Sequence, residues 1–536
     1  MESNSITLSG QSIIGCRRST SVDASFQGLN PATGEQLEPT YYAASAAEVD
    51  EAARIGSAAF AIYRECSGKT KASFLRCIAA NIEQLGDPLI TRATEETALP
   101  AARLKNELGR TCGQLRLFAE LVEEGSWVDA RIDSADPNRT PLKKPDVRSM
   151  LRPLGPVVVF CASNFPLAFS VAGGDTAAAL AAGNPVIVKA HHAHPGTAEL
   201  VGLAVSDAVR SCGLPEGVFS LLYGAGNLVG AQLVNHPLIK AGGFTGSRSG
   251  GQALMNLAAT RPAPIPFYAE MSSVNPVFIL PGALAERTAE LAAGLHASVT
   301  LGAGQFCTNP GLVFLPADDS EEFIRKLGEL MGQTAQLTML TPGICSAYRD
   351  GVSALAQNSR VTAVVRQEVE DKAAAAGAAL FVTDAASFMA DGGLSAEVFG
   401  PATLLVKYSS QKQLIEVADK LEGQLTATIH GTDEELKSSA ELCGVLETKA
   451  GRLLCNGFPT GVEVGHAMVH GGPFPATSDG RSTSVGTRAA LRFARSVCYQ
   501  DWPDASLPDE LKESNPLRIW RMVDGQMTRT SLSDKL

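Results

Sequence analysis

From Gly155 to Glu270 short apolar runs alternate with Ala-rich stretches of helix length, and this alternation limits the choice of fold more than any other feature of the chain. Val157–Phe160, Val186–Lys189, Val218–Tyr223, the run GGFTG ending at Gly246, and Phe267–Glu270 are predicted strands. Ala168–Ala182 and Thr197–Cys212 are predicted helices between them, with Gly, Pro and Asn at the joints. Strands that are apolar on both faces must be covered on both. The pattern therefore predicts an α/β fold with a doubly wound parallel sheet of Rossmann type, which places ligands at the carboxyl ends of its strands.

A second, less regular set runs from Val277 to Gly457, with Val277–Leu280, Leu312–Leu315, Ala402–Lys407 and Leu453–Cys455 as strands. Ahead of the first sheet, Ser45-x-x-Glu48 reads as a capping box, and Val49, Ala52, Ala53, Ala59 and Phe60 then share one helical face. Further helices are expected to Gly125. Asp129–Met150, rich in Pro, Arg and Asp, is expected to be an exposed excursion, and the polar tail after Trp502 a surface extension.

Of 536 residues 45% are apolar and 19% charged, enough to bury more than one core. The net charge of −11 denies the chain the basic field that nucleic acid or an anionic membrane requires. The most apolar stretch, Phe165–Lys189, is interrupted by Asp175, Asn184 and Pro185, so no bilayer span is expected. The first residues lack a basic region followed by an apolar block, and no secretory signal is expected. Eleven scattered cysteines without a C-x-x-C pair read as reduced thiols of a cytoplasmic protein.

Several short motifs are best read blandly. Ser67-Gly68-Lys69-Thr70 ends like a phosphate loop, but Tyr63 stands where the leading glycine belongs. Gly224-x-Gly226-x-x-x-Gly230 is one residue too long for the dinucleotide fingerprint and reads as a strand-to-helix turn. His191-His192-x-His194 lacks acidic or thiol partners at ligand spacing and reads as a loop; no metal is assigned. Three other places hold chemistry. Cys307 sits among small residues where backbone can approach a carbonyl, Glu270 ends one strand, and Asn164 follows another.

In order, SNFP at 163–166, VIVKA at 186–190, FTGS at 244–247, AEM at 269–271, GQFCTN at 304–309 and EVFGP at 397–401 resemble the aldehyde dehydrogenase superfamily. The stretches SVAGGDTA at 170–177, RTCGQLRLFAELVEEGSW at 110–127 and FPTGVEVGHAMVHGGPFPATSD at 458–479 resemble one branch of it. That branch holds 2-oxoglutarate semialdehyde (2,5-dioxovalerate) dehydrogenases and a bacterial fatty aldehyde dehydrogenase.

The resemblance implies that Cys307 attacks the aldehyde, that Asn164 and the Cys307 N–H hold the oxyanion, and that Glu270 activates the water that hydrolyses the thioester. It implies that Lys189, His192, Gly226, Phe244, Gly246, Ser247, Glu397 and Phe399 hold NAD or NADP. His192 stands where strongly NAD-preferring members carry a glutamate that would repel a 2′-phosphate, so NADP is expected over NAD. A second departure is Met271-Ser272-Ser273 in place of Leu-Gly-Gly after the base, which leaves the resting orientation of Glu270 open.

His470 falls where the branch has a histidine near the thiol, to tune it or to touch substrate, whereas His466 is read as plain structure. Phe165, Ala168, Phe169, Ala172 and Leu301 are expected to line the aldehyde tunnel. Arg110 is placed to meet a substrate carboxylate, which favours 2,5-dioxovalerate; a medium or long aliphatic aldehyde, a CoA-acylating variant and an inactive cofactor-binding relative are the alternatives.

The implied organisation is a coenzyme domain (1–127 and 151–272), a catalytic domain (273–473), an oligomerisation arm (128–150 and 474–505) and a C-terminal extension (506–536). A homodimer or homotetramer is expected, without nucleic-acid or membrane partners.

Overall fold

The computed structural model describes residues 7–22, 24–370 and 374–532. Val157–Phe160, Val186–Lys189, Phe219–Leu222, Ala241–Thr245 and Phe267–Glu270 form the parallel part of a seven-stranded sheet, and Ile13–Ile14 and Arg17–Arg18 extend its edge antiparallel. The first three strands step outward in one direction from Val157–Phe160, and the last two step outward in the other. The order therefore reverses between Phe160 and Thr245, and a crevice opens at the carboxyl ends of these two neighbours.

Helices α1 (Ala46–Tyr63), α2 (Gly68–Thr97), α3 (Ala101–Glu124), α4 (Gly174–Ala182), α5 (Pro195–Ser211), α6 (Leu228–Asn235) and α7 (Arg248–Thr260) cover the faces. The capping box of α1 is present: the Glu48 N–H donates to the Ser45 hydroxyl, and the Ser45 N–H donates to the Glu48 carboxylate. Val49, Ala52, Ala53 and Ala59 are buried on its inner face. Phe74, Leu75 and Ile78 of α2 and Leu115 and Phe118 of α3 share a core with Val157, Val188 and Leu221 of the sheet. Packing is close enough that a Cβ on Gly243 would lie 2.6 Å from the Asp175 carboxylate.

The predicted helix Ala168–Ala182 is shorter, because residues 168–173 form a turn that precedes α4. The turn persists because the Leu167 and Ala168 N–H groups donate to the buried carboxylate of Glu107, a partner outside the segment that replaces helical hydrogen bonds.

A second seven-stranded sheet places Val277–Ile279, Leu312–Pro316, Ala379–Asp384, Ala402–Tyr408, Gln424–His430 and Ala450–Cys455 in parallel, with Thr362–Arg366 antiparallel at one edge. Three of these strands, Thr362–Arg366, Ala379–Asp384 and Gln424–His430, were not anticipated; the last carries Gln, Thr and His at buried positions and lacks the all-apolar signature.

Two expectations need correction. Asp129–Met150 is not wholly exposed: Arg131–Asp133 and Val147–Pro153 are strands of a five-stranded sheet, with Ile132 and Met150 buried. The tail is not a surface appendage either. Arg521–Val523 and Gln526–Thr528 complete the same sheet, and Leu507, Leu511 and Ile519 pack on Val128, Ala130 and Met150. Both were misread because their polar and charged residues are satisfied by distant chain. Arg148 pairs with Asp146, Asp504 and Glu513 at 2.8, 3.0 and 3.3 Å, and the fully buried Arg521 donates to the carbonyls of Glu510, Lys512, Glu513 and Thr530. No helix among the described residues is long and apolar enough to cross a membrane.

Candidate active site

Glu270 ends the strand Phe267–Glu270 and is stitched to a distant segment. The Met271 N–H donates to the Ala476 carbonyl at 2.8 Å, and Glu270 forms a bridge with Thr477. That segment folds back on itself, with the His470 N–H on the Thr483 hydroxyl and the Ser484 N–H on the His470 carbonyl, both at 2.8 Å. The stitching delivers two side chains to the carboxylate. His470 Nε2 lies 2.9 Å from Glu270 Oε1, and the Ser484 hydroxyl donates to Oε2 at 2.6 Å. Met271-Ser272-Ser273 does not leave the carboxylate loose: Glu270 is held at both oxygens.

Cys307 follows helix α8 (Pro281–Thr300) and the tight turn Leu301–Gly304. Gly304 has φ +66°, and a Cβ there would lie 2.2 Å from the Gly400 carbonyl, so this turn requires glycine. Asn275 fixes the thiol's backbone, with Nδ2 donating to the carbonyls of Cys307, Asn309 and Ser273 at 2.8, 3.0 and 3.2 Å. Sγ of Cys307 lies 3.4 Å from His470 Nε2. The donor atoms of Cys307, His470 and Glu270 all fall within 4.8 Å of one another.

Burial and the neighbouring Glu270 charge push the Cys307 thiol well above its ordinary range, against the opposing Arg110 cation. Burial alone would raise Glu270, but His470, the Ser484 hydroxyl and Arg492 outweigh it and hold the carboxyl below its usual value. At rest, therefore, the thiol is protonated and the carboxylate ionised. His470 Nδ1 is buried without a partner. The ionised Oε1 can only accept, so His470 Nε2 carries a proton toward it, with Cys307 Sγ on its other side.

Asn164 follows the strand Val157–Phe160 and donates from Nδ2 to the Gln305 carbonyl at 3.0 Å, beside Cys307. Its own carbonyl accepts from Arg103 at 2.7 Å. Arg103, Glu107 and Arg110 share one face of α3. Arg103 lies 4.7 and 5.2 Å from the Phe306 and Phe165 ring centres, and Arg110 lies 5.0 Å from that of Phe169. Phe165 meets both Phe169 and Phe306 at 5.3 Å. Within this aromatic box Nη1 of Arg103 and Nε and Nη2 of Arg110 are buried without acceptors. Arg110 also lines a depression of about 510 Å³ with Gln114, Val462 and Glu463. Ala168 and Ala172 are buried beside these rings, whereas Leu301 is half exposed.

The crevice of the first sheet is a cavity of about 570 Å³ that ends at Cys307 and Asn164. His192, Phe244, Gly246, Ser247, Glu397 and Phe399 line it. Ser247 caps α7, whose first turn points its free amides there, an arrangement suited to a phosphate. Lys189 and Gly226 are not on the wall: Lys189 ends its strand buried, its ammonium lowered to about 8 by burial, and Gly226 lies in an exposed turn at φ +73°. Burial pushes Glu397 up to about 7, although the Ser272 hydroxyl and Ser273 N–H oppose the rise. His192 is held below its ordinary range by burial and by Lys189. His466 contacts Thr487 at 3.3 Å and stays outside the cluster.

Ser484, Asn275, Gln305, Arg103 and Glu107 escaped the sequence reading. Only Arg103 and Glu107 had a signal to find, their places seven and three residues before Arg110 on one helix face.

A thiol, a pinned carboxylate and an amide thus meet at the inner end of a crevice at the carboxyl ends of a parallel sheet, where folds of this kind bind nucleotides. The pattern of the aldehyde dehydrogenase family matches residues 17–473, and the chain belongs to that family. It is 51% identical over 521 residues (97% of this chain, 99% of the relative) to alpha-ketoglutaric semialdehyde dehydrogenase 2 of Azospirillum brasilense. It is 48% identical over 497 residues (92% and 94%) to alpha-ketoglutaric semialdehyde dehydrogenase of Acinetobacter baylyi. Among solved structures, the aldehyde dehydrogenase KauB from Pseudomonas aeruginosa superposes with a TM-score of 0.78 at 17% identity, covering 92% of this chain and 97% of that one; at that identity the likeness concerns the fold.

Proposed function

We propose that this enzyme oxidises 2-oxoglutarate semialdehyde to 2-oxoglutarate with NAD(P), through a thioester on Cys307. The observation that carries the substrate is the pair of arginines on α3, whose three unpaired N–H groups face buried aromatic surface near the thiol. The box itself holds one carboxylate, Glu107, and Glu270 and Glu463 also act on Arg110 from its surroundings, yet none of them accepts from these donors; a substrate carboxylate would. The two curated relatives carry the same substrate in their names.

Reaction begins with transfer of the thiol proton to Glu270 as Sγ bonds to the aldehyde carbon. Protonating Glu270 removes the like charge that keeps the thiol protonated, so the two events assist each other. The Nε2–H of His470, shared between Sγ and Oε1, stabilises whichever carries the negative charge. The second N–H of the Asn164 amide and the Cys307 N–H take the oxyanion. After hydride loss the thioester remains. Glu270, having passed its first proton to solvent, draws one from a water that attacks the acyl carbon; the C–S bond then breaks, the sulfur takes that proton back and the carboxylate product leaves, while Ser484 and His470 keep Glu270 aimed.

The cavity fits a nicotinamide dinucleotide, since its mouth carries the α7 amides and its inner end the thiol. Phe244, Gly246 and Ser247 would take the adenosine and pyrophosphate side, Glu397 and Phe399 the nicotinamide ribose. Bound there, the nicotinamide supplies the hydride acceptor. Lys189, buried at the end of its strand, would support this wall from behind, and Gly226 stays in its exposed turn. His192 favours NADP, because a 2′-phosphate would meet an imidazole and not an acid.

The arm, 128–150 and 474–505 with the tail added, offers its sheet to a second copy in a homodimer or homotetramer. Reduced thiols fit a cytoplasmic enzyme. The test is reduced-nicotinamide absorbance with the semialdehyde and a series of neutral aldehydes, each with NAD and NADP. A preference of at least about tenfold in kcat/KM for the oxo acid, about 1.4 kcal/mol, is expected. Preference for long neutral aldehydes would assign the fatty-aldehyde reaction. Cofactor binding without turnover would mark a CoA-dependent or inactive relative.

A further inference from the structure

We propose that Cys307, His470 and Glu270 also form a reversible, inhibitory site for a thiophilic divalent cation, zinc above all. Thiolate, imidazole and carboxylate are the three side chains zinc prefers. In a tetrahedral site, with Zn–S near 2.3 Å and Zn–N and Zn–O near 2.0–2.2 Å, ligand atoms stand about 3.4–3.6 Å apart. Here Sγ and Nε2 are 3.4 Å apart, Nε2 and Oε1 2.9 Å, and all three donor atoms lie within 4.8 Å. Capture thus needs Nε2 and Oε1 to part by about half an ångström and Sγ and Oε1, which lie within 4.8 Å, to stand near 3.6 Å.

The surroundings support this reading. Ser484 occupies Glu270 Oε2, leaving Oε1 as a single ligand and orienting it as an outer-shell partner does. Asn275 holds the Cys307 backbone, so the sulfur is fixed. The cavity of about 570 Å³ reaches Cys307, giving an entry path and room for a water at the fourth position.

Binding replaces the thiol proton, Cys–SH plus Zn²⁺ giving Cys–S–Zn⁺ plus H⁺, with no change of oxidation state. His470 must offer the Nε2 lone pair, so its proton moves to Nδ1, which is buried without an acceptor. That mismatch keeps affinity below that of a structural zinc site and makes the block reversible. Occupation engages the sulfur lone pair and the base together, so aldehyde attack stops.

The experiment titrates the purified full-length protein with Zn²⁺ by calorimetry and with Co²⁺ by absorbance. One ion per chain, a thiolate-to-cobalt charge-transfer band, and loss of aldehyde oxidation restored by EDTA are expected. Cys307→Ala should abolish the band, and His470→Asn should weaken Zn²⁺ binding at least about tenfold. Both variants are read by metal binding, so the result stands whatever aldehyde the enzyme oxidises. Unchanged melting temperature and cofactor binding show that they fold. Binding that survives intact in Cys307→Ala, as at the exposed Cys455 or Cys498, would overturn the proposal, as would the absence of the cobalt band in the parent protein.

Discussion

Replacing Arg110 by leucine removes the two buried, unpaired donors, Nε and Nη2, to which the proposed function assigns the substrate carboxylate. Hydrogen bonds between charged groups contribute about 1.5–3 kcal/mol each, so two give about 3–6 kcal/mol, or about 150-fold to 2 × 10⁴-fold in kcat/KM. Arg103 remains in the same box and shares the carboxylate, which places the expected loss near the lower bound, about 150-fold. A neutral aldehyde of the same length makes neither bond, and its kcat/KM should stay within about threefold. Arg110→Lys keeps the charge but loses the planar fork, and should recover part of the discrimination. The assay is initial-rate kinetics on 2-oxoglutarate semialdehyde and on pentanal, with melting temperature and cofactor affinity as folding controls. Equal loss for both substrates would show that Arg110 supports the aromatic wall and does not recognise the carboxylate.

Other outcomes follow from the same geometry. Cys307→Ala should abolish aldehyde oxidation while cofactor binding, followed by fluorescence, persists. Glu270→Gln should have opposite effects on two readouts. Turnover should fall about 10²–10⁴-fold as the thioester accumulates, seen by mass spectrometry, whereas iodoacetamide at neutral pH should modify Cys307 faster because the carboxylate that raises the thiol is gone; slower alkylation would make Glu270 the resting activator. Ser484→Ala removes one hydrogen bond to the ionised base and should cost about 1.5–3 kcal/mol in kcat, with KM little changed; a change confined to KM would place Ser484 in substrate binding. His192 is held below its ordinary range when free, and a 2′-phosphate would raise it, so NADP affinity should strengthen relative to NAD as pH falls from about 8 to about 6. A pH-independent ratio, or one unaltered in His192→Ala, would remove His192 from cofactor choice.

Local pattern alone identified the first sheet, since an all-apolar strand such as Val157–Phe160 or Val186–Lys189 has no alternative that buries both faces. The Ser45 capping box was legible because its partners lie within a few residues. The thiol, the amide and the carboxylate stood out as candidates because each ends or follows such a strand or a turn, and the order of six family-like motifs joined them. Polar side chains buried by remote partners were not legible. Gln424–His430 is a strand because neighbours on both sides pair its backbone, and Arg148 and Arg521 are interior because the C-terminal tail supplies acceptors.

Residue type and place in the chain single out Cys307, Glu270 and Asn164 as candidates, and their roles come from the family resemblance. That His470 stands between thiol and base, that Ser484 pins the carboxylate, and that Arg103 joins Arg110 in one aromatic box follow only from the folded chain. The spacing of residues in a strand or helix is set by covalent geometry and can be read locally. A contact between positions 270 and 470 depends on the packing of the whole chain, which no local pattern encodes.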